Sequence, residues 1–298
     1  MFGKLSKNSS VKHILVVSLS NIGDIVLTCP VIDVLLRDFP LARISVIVGP
    51  KAETLFAHHP RIGCVVYDKH MPWFGQWQWF ACLRTDSFDV IVDLRQSALG
   101  LFVPCRFRTT VFPQKFTGHM RQKHLQRLKT VYPDFVCPGQ SQAIIPKLVA
   151  ALGCVPGYVI IAPGAADYAK RWDPLGFVQV ADHLADHGHT VVFVGDNHDA
   201  PIVEKIRQDM RHPSITLAGK TDLRELAFVL QNARLVLTHD SAALHFAGYF
   251  GVPAIALWGP TDVAKYGPWS PCSVIVRRGK EMRSITVKDV IDAIAQMP

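Results

Sequence analysis

Short apolar runs recur along this chain, each followed by a turn-forming cluster and then by a helical pattern, and the series begins twice. The first series opens at His13–Ser18 (HILVVS), passes through Ser20-Asn-Ile-Gly-Asp24 and enters an amphipathic run over Ile25–Arg37. Further strand candidates follow at Arg43–Val48, Cys64–Tyr67 and Val90–Leu94. Strands alternating with helices point to a parallel α/β sheet. The pattern restarts at Tyr158–Ala162 (YVIIA), turns at Pro163-Gly164 and enters a helix over Pro174–His187. Strand candidates at Thr190–Gly195, Ser214–Leu217, Arg234–Thr238 and Ala254–Trp258 complete this set, with helices over Leu223–Gln231 and Val287–Gln296. Pro138, Gly139, Pro146, Pro156 and Gly157 punctuate the junction, which predicts two domains, 1–150 and 151–298. The expected fold class is α/β, with two Rossmann-like domains whose parallel sheets face a central cleft. Ligands of open α/β sheets bind beyond the carboxyl ends of the strands.

Charge narrows the partners. The formal net charge is +8, which favours nucleic acid, an anionic lipid surface or a phosphorylated substrate. The stretch 104–142 carries Arg106, Arg108, Lys115, His119, Arg121, Lys123, His124, Arg127 and Lys129. It reads as a loop followed by a helix, either steering an anionic acceptor or forming a solvated face. No motif that reads RNA or DNA is visible, so nucleic acid is not an expected partner. The GxGxxG and GxxxxGK[ST] fingerprints are both missing, which argues against a dehydrogenase or a P-loop enzyme. Seven cysteines (29, 64, 82, 105, 137, 154 and 272) form no CxxC pair. They read as core thiols of a reducing cytoplasm, without a zinc site. No apolar window is long enough for a membrane span, and the apolar run near Ile14 is too short for a signal-peptide core. Pro72-Trp-Phe-Gly-Gln-Trp-Gln-Trp-Phe80 reads as an aromatic cap on the first core or as tryptophans at a wet–apolar boundary.

Three turns carry residues suited to chemistry. Thr238-His-Asp-Ser-Ala-Ala-Leu-His245 ends a strand and starts a helix, where free amides and the dipole favour an anion. Asp240 and Ser241 read equally well as helix caps. In the second turn, Pro163-Gly164 is followed by Lys170 and Arg171, which can neutralise a diphosphate or form a solvated basic pair. Trp172 reads as a packing residue, and Lys220-Thr221-Asp222 as the cap of the next helix. In the third, Asp24 follows Gly23, read as permitting a tight turn; its carboxylate can act as a general base or as a helix cap.

Taken together these pieces resemble glycosyltransferase family 9, the bacterial lipopolysaccharide heptosyltransferases. The resemblance runs from Ile14 to about Trp269. It rests on Ser20-Asn-Ile-Gly-Asp24 with Thr28 and Pro30, on Pro163-Gly-Ala165 with Lys170-Arg-Trp172, and on Thr238-His-Asp240-Ser, His245, Gly251-Val-Pro253 and Gly259-Pro-Thr261. It implies a GT-B fold and inverting, metal-independent transfer from a nucleotide sugar, typically ADP-heptose, to the lipopolysaccharide inner core. No cofactor is implied. By position, Asp24 matches the family's proposed base, Lys170 a lysine that binds the donor phosphates, and Asp240 an acid that contacts the donor sugar. The donor site is expected to include Gly164, Lys170, Arg171, Asp240, Ser241, Ala242, His245 and Thr261. The acceptor site is expected to include Ser20, Asn21, Arg121 and Lys123. A cytoplasmic location with peripheral contact at the inner membrane face follows from the same resemblance.

The chain departs from the family pattern. His239-Asp240-Ser241-Ala242 stands where members carry Asn-Asp-Ser-Gly or Asp-Thr-Gly, and a Cβ at Ala242 is expected to crowd the phosphate or twist the turn. Ala165 and Ala166 replace hydroxyl residues of some members, and the chain is short for the family. These departures motivate an alternative: a degenerate transferase that binds a nucleotide sugar or glycan without turnover.

Overall fold

Strand residues decide the architecture of each half. The computed structural model describes residues 3–97, 99–112, 114–137, 139, 141–148, 157–270 and 272–297. Two compact units divide the chain, Met1–Ile145 and Pro146–Pro298. Pro138, Pro156, Cys154 and the expected boundary at 150 and 151 lie outside the described residues.

The first unit runs β1 (His13–Val17), α1 (Ile22–Asp38), β2 (Arg43–Val48), a 3-10 segment (Pro50–Phe56), β3 (Ile62–Val66), α2 (Trp73–Thr85), β4 (Phe88–Asp93), α3 (Leu99–Phe102), β5 (Cys105–Arg108) and α4 (Met120–Lys129). Its five strands are parallel in the order β3-β2-β1-β4-β5. Ile14 of β1 pairs in register with Ile44 and with Val90. Leu15 and Val17 pack with Ile47, Leu83, Ile91 and Val103 on one face of the sheet. By the two-residue period Ile14 and Val16 serve the other face, so all four are buried and the strand reads as a continuous apolar run.

The second unit runs β6 (Val159–Ala162), a 3-10 turn (Tyr168–Lys170), α5 (Pro174–Asp186), β7 (Val191–Phe193), α6 (Ala200–Asp209), β8 (Ile215–Thr216), α7 (Leu223–Gln231), β9 (Leu235–His239), α8 (Ala242–Phe250), β10 (Ala254–Leu257), α9 (Val263–Tyr266), β11 (Ser273–Val276), a further 3-10 turn (Met282–Ser284) and α10 (Val287–Ile294). Its six parallel strands lie in the order β11-β10-β9-β6-β7-β8. Helix starts follow local chemistry. Asp173 caps α5 ahead of Pro174, and Asp222 forms a capping box with Glu225 at α7.

Each sheet reverses its strand order once, between β1 and β4 in the first unit and between β6 and β9 in the second. Beyond the carboxyl ends at such a reversal, neighbouring loops part and leave room for a ligand. The fold thus singles out the turns after β1, β4, β6 and β9.

Four expectations need correction. The basic stretch 104–142 does not begin as a loop, because Cys105–Arg108 forms edge strand β5 with Phe107 buried and Arg106 exposed. The second sheet also gains an edge strand, β11, that the apolar pattern did not announce. Helix α4 is only partly a solvated face: Gln122, Gln126 and Lys129 are exposed, whereas His124 and Arg127 are buried. The Arg127 guanidinium donates to the carbonyls of Asp93, Thr110 and Phe112. Finally, the thiols are not all core groups: Cys29 is buried, whereas Cys82, Cys137 and Cys272 are exposed.

Candidate functional site

In the second unit three turns meet. Lys170 follows β6, Asp240 follows β9, and Gly259 follows β10. The Lys170 ammonium donates to Asp240 Oδ2 at 2.7 Å. An ammonium has three donors, so this bond leaves two that can meet phosphate oxygens. Asp240 Oδ1 lies 3.9 Å from His245 Nε2, one turn into α8. A Cβ added to Gly259 would come within 2.8 Å of Met282 Sδ and 3.4 Å of the Ala169 carbonyl. That close approach holds the Gly259-Pro-Thr261 turn against the segment carrying Lys170. Thr261 Oγ1 is buried there with no hydrogen-bond partner among the described residues.

His239 binds two of these turns together. It is the last residue of β9 and fully buried. Its Nε2 accepts from the Trp172 amide at 3.0 Å, and its Nδ1 lies 3.5 Å from the Gly164 carbonyl. A neutral ring protonated at Nδ1 serves both contacts. Burial pushes this ring down to about 4, with the Gly164 carbonyl opposing and Arg171 reinforcing the shift. The sequence placed His239 in the turn after the strand and as a departure from the family pattern, with no role of its own. Its partners lie 67 and 75 residues away, so no local signal exposes its role.

The cap readings resolve one by one. Ser241 occupies the N-cap position of α8, yet makes no side-chain cap bond. Its hydroxyl instead lies 2.9 Å from Thr238 Oγ1. Asp240 points to Lys170 and does not cap. The amides of the first turn of α8 are therefore left without a side-chain cap, an arrangement suited to an anion. Ala242 begins α8 with ordinary backbone, because the described non-glycine residues with positive φ are His58 and Gln96. The expected twist at Ala242 does not occur: a helix N-terminus accepts a Cβ without strain.

The turn after β6 is tightly built. A Cβ on Gly164 would overlap the Asp199 carboxylate, so glycine is required there by close packing. Burial raises the pKa of Asp199, opposed by the hydrogen bond from the Asp196 amide and by Arg171, while the Asp196 carboxylate reinforces it. Arg171 donates through Nε to the Ala165 carbonyl at 2.8 Å, and its guanidinium carbon lies 4.2 Å from the centre of the Tyr168 ring. Trp172 is a packing residue, buried and donating to the Ile285 carbonyl. A cavity of about 480 Å3 opens beside Arg171, lined by Pro163, Tyr168, Phe177, Ile202 and Arg283 among others. Lys170 and Asp240 do not line it, so the ion pair and the cavity flank the turn separately.

In the first unit, α1 starts at Ile22 after Asn21, which makes no cap bond. Gly23 is already helical, so it does not make the tight turn expected of it. Asp24 lies in the first turn, where the helix dipole favours a carboxylate. It is half-buried, and Asn21 Nδ2 donates to its Oδ2 at 3.1 Å. Ser20 is half-buried beside Gly49, whose added Cβ would meet the Ser20 carbonyl at 3.0 Å. Ser18 and Thr28 lock the turn from below through a 2.8 Å hydroxyl contact. At the end of β4, Asp93 accepts from Ser97 Oγ and the Arg95 amide, and burial raises its pKa. Arg121 and Lys123 sit on α4 two residues apart, so they leave it on different faces. Arg121 contacts Cys137 Sγ at 3.7 Å.

Among the described residues, no group of three His, Cys, Asp or Glu side chains is arranged to hold a metal ion. Nor is any helix long and apolar enough to cross a membrane.

Comparison with known proteins places the chain. The model of glycosyltransferase family 9 (heptosyltransferase) matches residues 140–292. Lipopolysaccharide heptosyltransferase 3 of Escherichia coli is 28% identical over 284 residues, covering 83% of this chain and 84% of that protein. Among solved structures, a glycosyl transferase of family 9 from Veillonella parvula superposes with a TM-score of 0.79 at 21% identity, covering 97% of this chain and 98% of that one. The E. coli ADP-heptose lps heptosyltransferase II gives a TM-score of 0.77 at 20% identity, covering 95% and 97%. The fold is GT-B, as the resemblance implied.

Proposed function

The chain belongs to glycosyltransferase family 9 and is a glycosyltransferase, and we propose that it moves a heptose from ADP-heptose to the anionic core of lipopolysaccharide, with inversion. The observation that carries the donor side is the Lys170–Asp240 pair at the strand-order reversal of the second sheet. When the sugar leaves, negative charge develops on the departing diphosphate. The two remaining Lys170 donors and the uncapped amides of α8 supply fixed countercharge, which is preorganised electrostatic stabilisation. Arg171, Gly164 and Thr261 complete the reading of the donor site. Asp240 Oδ1 and His245 face the donor sugar. This reading invokes no metal ion, because protein cations and main-chain donors carry the charge.

Asp24 is the base. The acceptor hydroxyl gives its proton to the carboxylate as its oxygen bonds to the anomeric carbon, and the bond from that carbon to the diphosphate oxygen breaks. The sugar passes through an oxocarbenium-like state, and attack from the face opposite the leaving group inverts the configuration. Asn21 orients the base through the 3.1 Å contact. Ser20, Asn21, Arg121 and Lys123 are the acceptor contacts in this reading, with the basic side chains meeting phosphate on the acceptor core. The first unit then serves the acceptor and the second the donor.

A panel of nucleotide sugars followed by thermal shift tests the donor, since a ligand that binds the folded state raises its melting temperature. ADP-heptose is expected to give the largest shift, and ADP release is expected only when core acceptor is added. A larger shift with a UDP- or GDP-sugar, with no response to ADP-heptose, overturns the donor assignment.

A further inference from the structure

Of the four turns at the strand-order reversals, those after β1, β6 and β9 serve the transfer reading, and the turn after β4 does not. That turn leaves the sheet beside the one that carries the base. Val17 of β1 pairs in register with Asp93, and the Leu94 amide donates to the Val17 carbonyl at 3.0 Å. Residues 95–97 therefore rise from the sheet next to the start of the segment Ser18–Asp24. The turn is held from several sides. The buried Asp93 carboxylate accepts from the Arg95 amide and from Ser97 Oγ, each at 3.0 Å. The Asp93 amide donates to Thr109 Oγ1, and its carbonyl accepts from the buried Arg127 guanidinium.

Inside this frame Gln96 carries two unfavourable features. Its φ is 60°, in the left-handed region. The other described non-glycine residue with positive φ is His58, which is exposed ahead of the amino end of β3. Histidine enters that region more often than most residues, and glycine enters it freely, whereas glutamine has neither advantage. Gln96 is also half-buried, with its Nε2 shut off from water and without a hydrogen-bond partner among the described residues. A strained backbone and an orphaned donor each cost stability, and such features gather where ligands are held.

We propose that Gln96 is a specificity residue of the acceptor site, its side-chain amide donating to an oxygen of the acceptor sugar bound at Asp24. A change of side-chain rotamer presents the amide at the surface of the turn, and the sugar supplies the oxygen that this donor lacks. The contact presupposes the transfer reading, which brings an acceptor sugar to Asp24. Binding and turnover are therefore measured separately, so that the two can fail independently.

Deacylated lipopolysaccharide core oligosaccharide is titrated into the full chain by calorimetry, without donor. Melting temperature and ADP release from ADP-heptose are read beside it. Gln96→Gly deletes the amide and relieves the backbone, so its melting temperature is expected to match or exceed the parent's. Its Kd for the oligosaccharide is expected to rise about three- to tenfold, the size of one lost hydrogen bond. The acceptor KM should rise with it while kcat stays within about threefold. Gln96→Asn keeps an amide and tolerates the left-handed region, and should lose less affinity. Both variants should bind ADP-heptose as the parent does. Equal oligosaccharide affinity in the parent and Gln96→Gly overturns the proposal, as does no binding by the parent. Weakened affinity with a fallen melting temperature in Gln96→Gly also overturns it, since the residue would then be structural. A parent that binds the oligosaccharide through Gln96 yet releases no ADP upholds the contact and overturns the transfer reading instead.

Discussion

The two sheets repeat one topology, and the same places in them are put to different use. In the first unit, polar groups beyond the central strands are satisfied close by in sequence. Asp24 pairs with Asn21, three residues away, and Asp93 with Ser97, four away. In the second unit the corresponding groups reach across the sheet. Lys170 meets Asp240 over 70 residues, and His239 meets Trp172 over 67. The first arrangement shapes a loop and leaves a carboxylate free to work. The second ties separate loops into one rigid, charged platform. A base needs access to its substrate, whereas groups that stabilise developing charge gain from being fixed in advance.

Breaking the working half of that contrast should have the largest effect. Asp24→Ala is expected to lower kcat by about 10²–10⁴-fold, the range for a lost general base, read in a coupled assay of ADP release. A kcat within threefold of the parent would remove the base from Asp24. Asn21→Ala should cost less, because it alters only the orientation of the carboxylate.

Breaking the platform comes next. Lys170→Met removes a charge-assisted contact worth about 1.5–3 kcal/mol and strands Asp240. Donor affinity should fall roughly tenfold to a hundredfold, as measured by calorimetry. Asp240→Asn in the same background should not add its full single-variant cost, since the two groups act as a pair. Full additivity would show that the 2.7 Å contact has no functional weight.

Two buried histidines sharpen the comparison further. His239 in the second unit is held at both ring nitrogens, while neither nitrogen of His124 in the first has a hydrogen-bond partner among the described residues. His239→Leu leaves the Trp172 amide unpaired and should destabilise by about 1–3 kcal/mol, with a raised KM for the donor. His239→Gln can restore an acceptor and should recover part of both. His124→Leu should lie within about 1 kcal/mol of the parent at pH 7, because it removes polar atoms that are not hydrogen-bonded.

Acid should find both rings. Burial pushes each down to about 4 from an ordinary 6.5. Well above pH 6.5, by about one unit or more, each is neutral folded or unfolded and contributes no slope. As pH falls below 6.5 the unfolded chain takes up the proton first, so stability declines until about pH 4, by roughly 3 kcal/mol per ring at most. Urea melts across that window should show a shallower decline in His124→Leu.

Much of the fold was legible because buried parallel strands write themselves as uninterrupted apolar runs, as at His13–Val17 and Val159–Ala162. The edge strands were hidden for the complementary reason. Cys105-Arg-Phe-Arg108 buries only one face and carries cations on the other, so it resembles a loop. Cap residues such as Asp222 were readable from local spacing. Single residues of the site could be nominated from motif order, but their partnerships could not. Nothing near Asp240 in sequence announces Lys170, and nothing near His239 announces Trp172.

The central claim divides labour between a base in the first unit and a charged donor platform in the second. Calorimetric titration of ADP-heptose into Asp24→Ala and Lys170→Met, beside turnover of each, tests it most directly. Asp24→Ala is expected to keep parental donor affinity and lose turnover, and Lys170→Met to bind the donor more weakly. Parental donor binding by Lys170→Met, or parental turnover by Asp24→Ala, would contradict it.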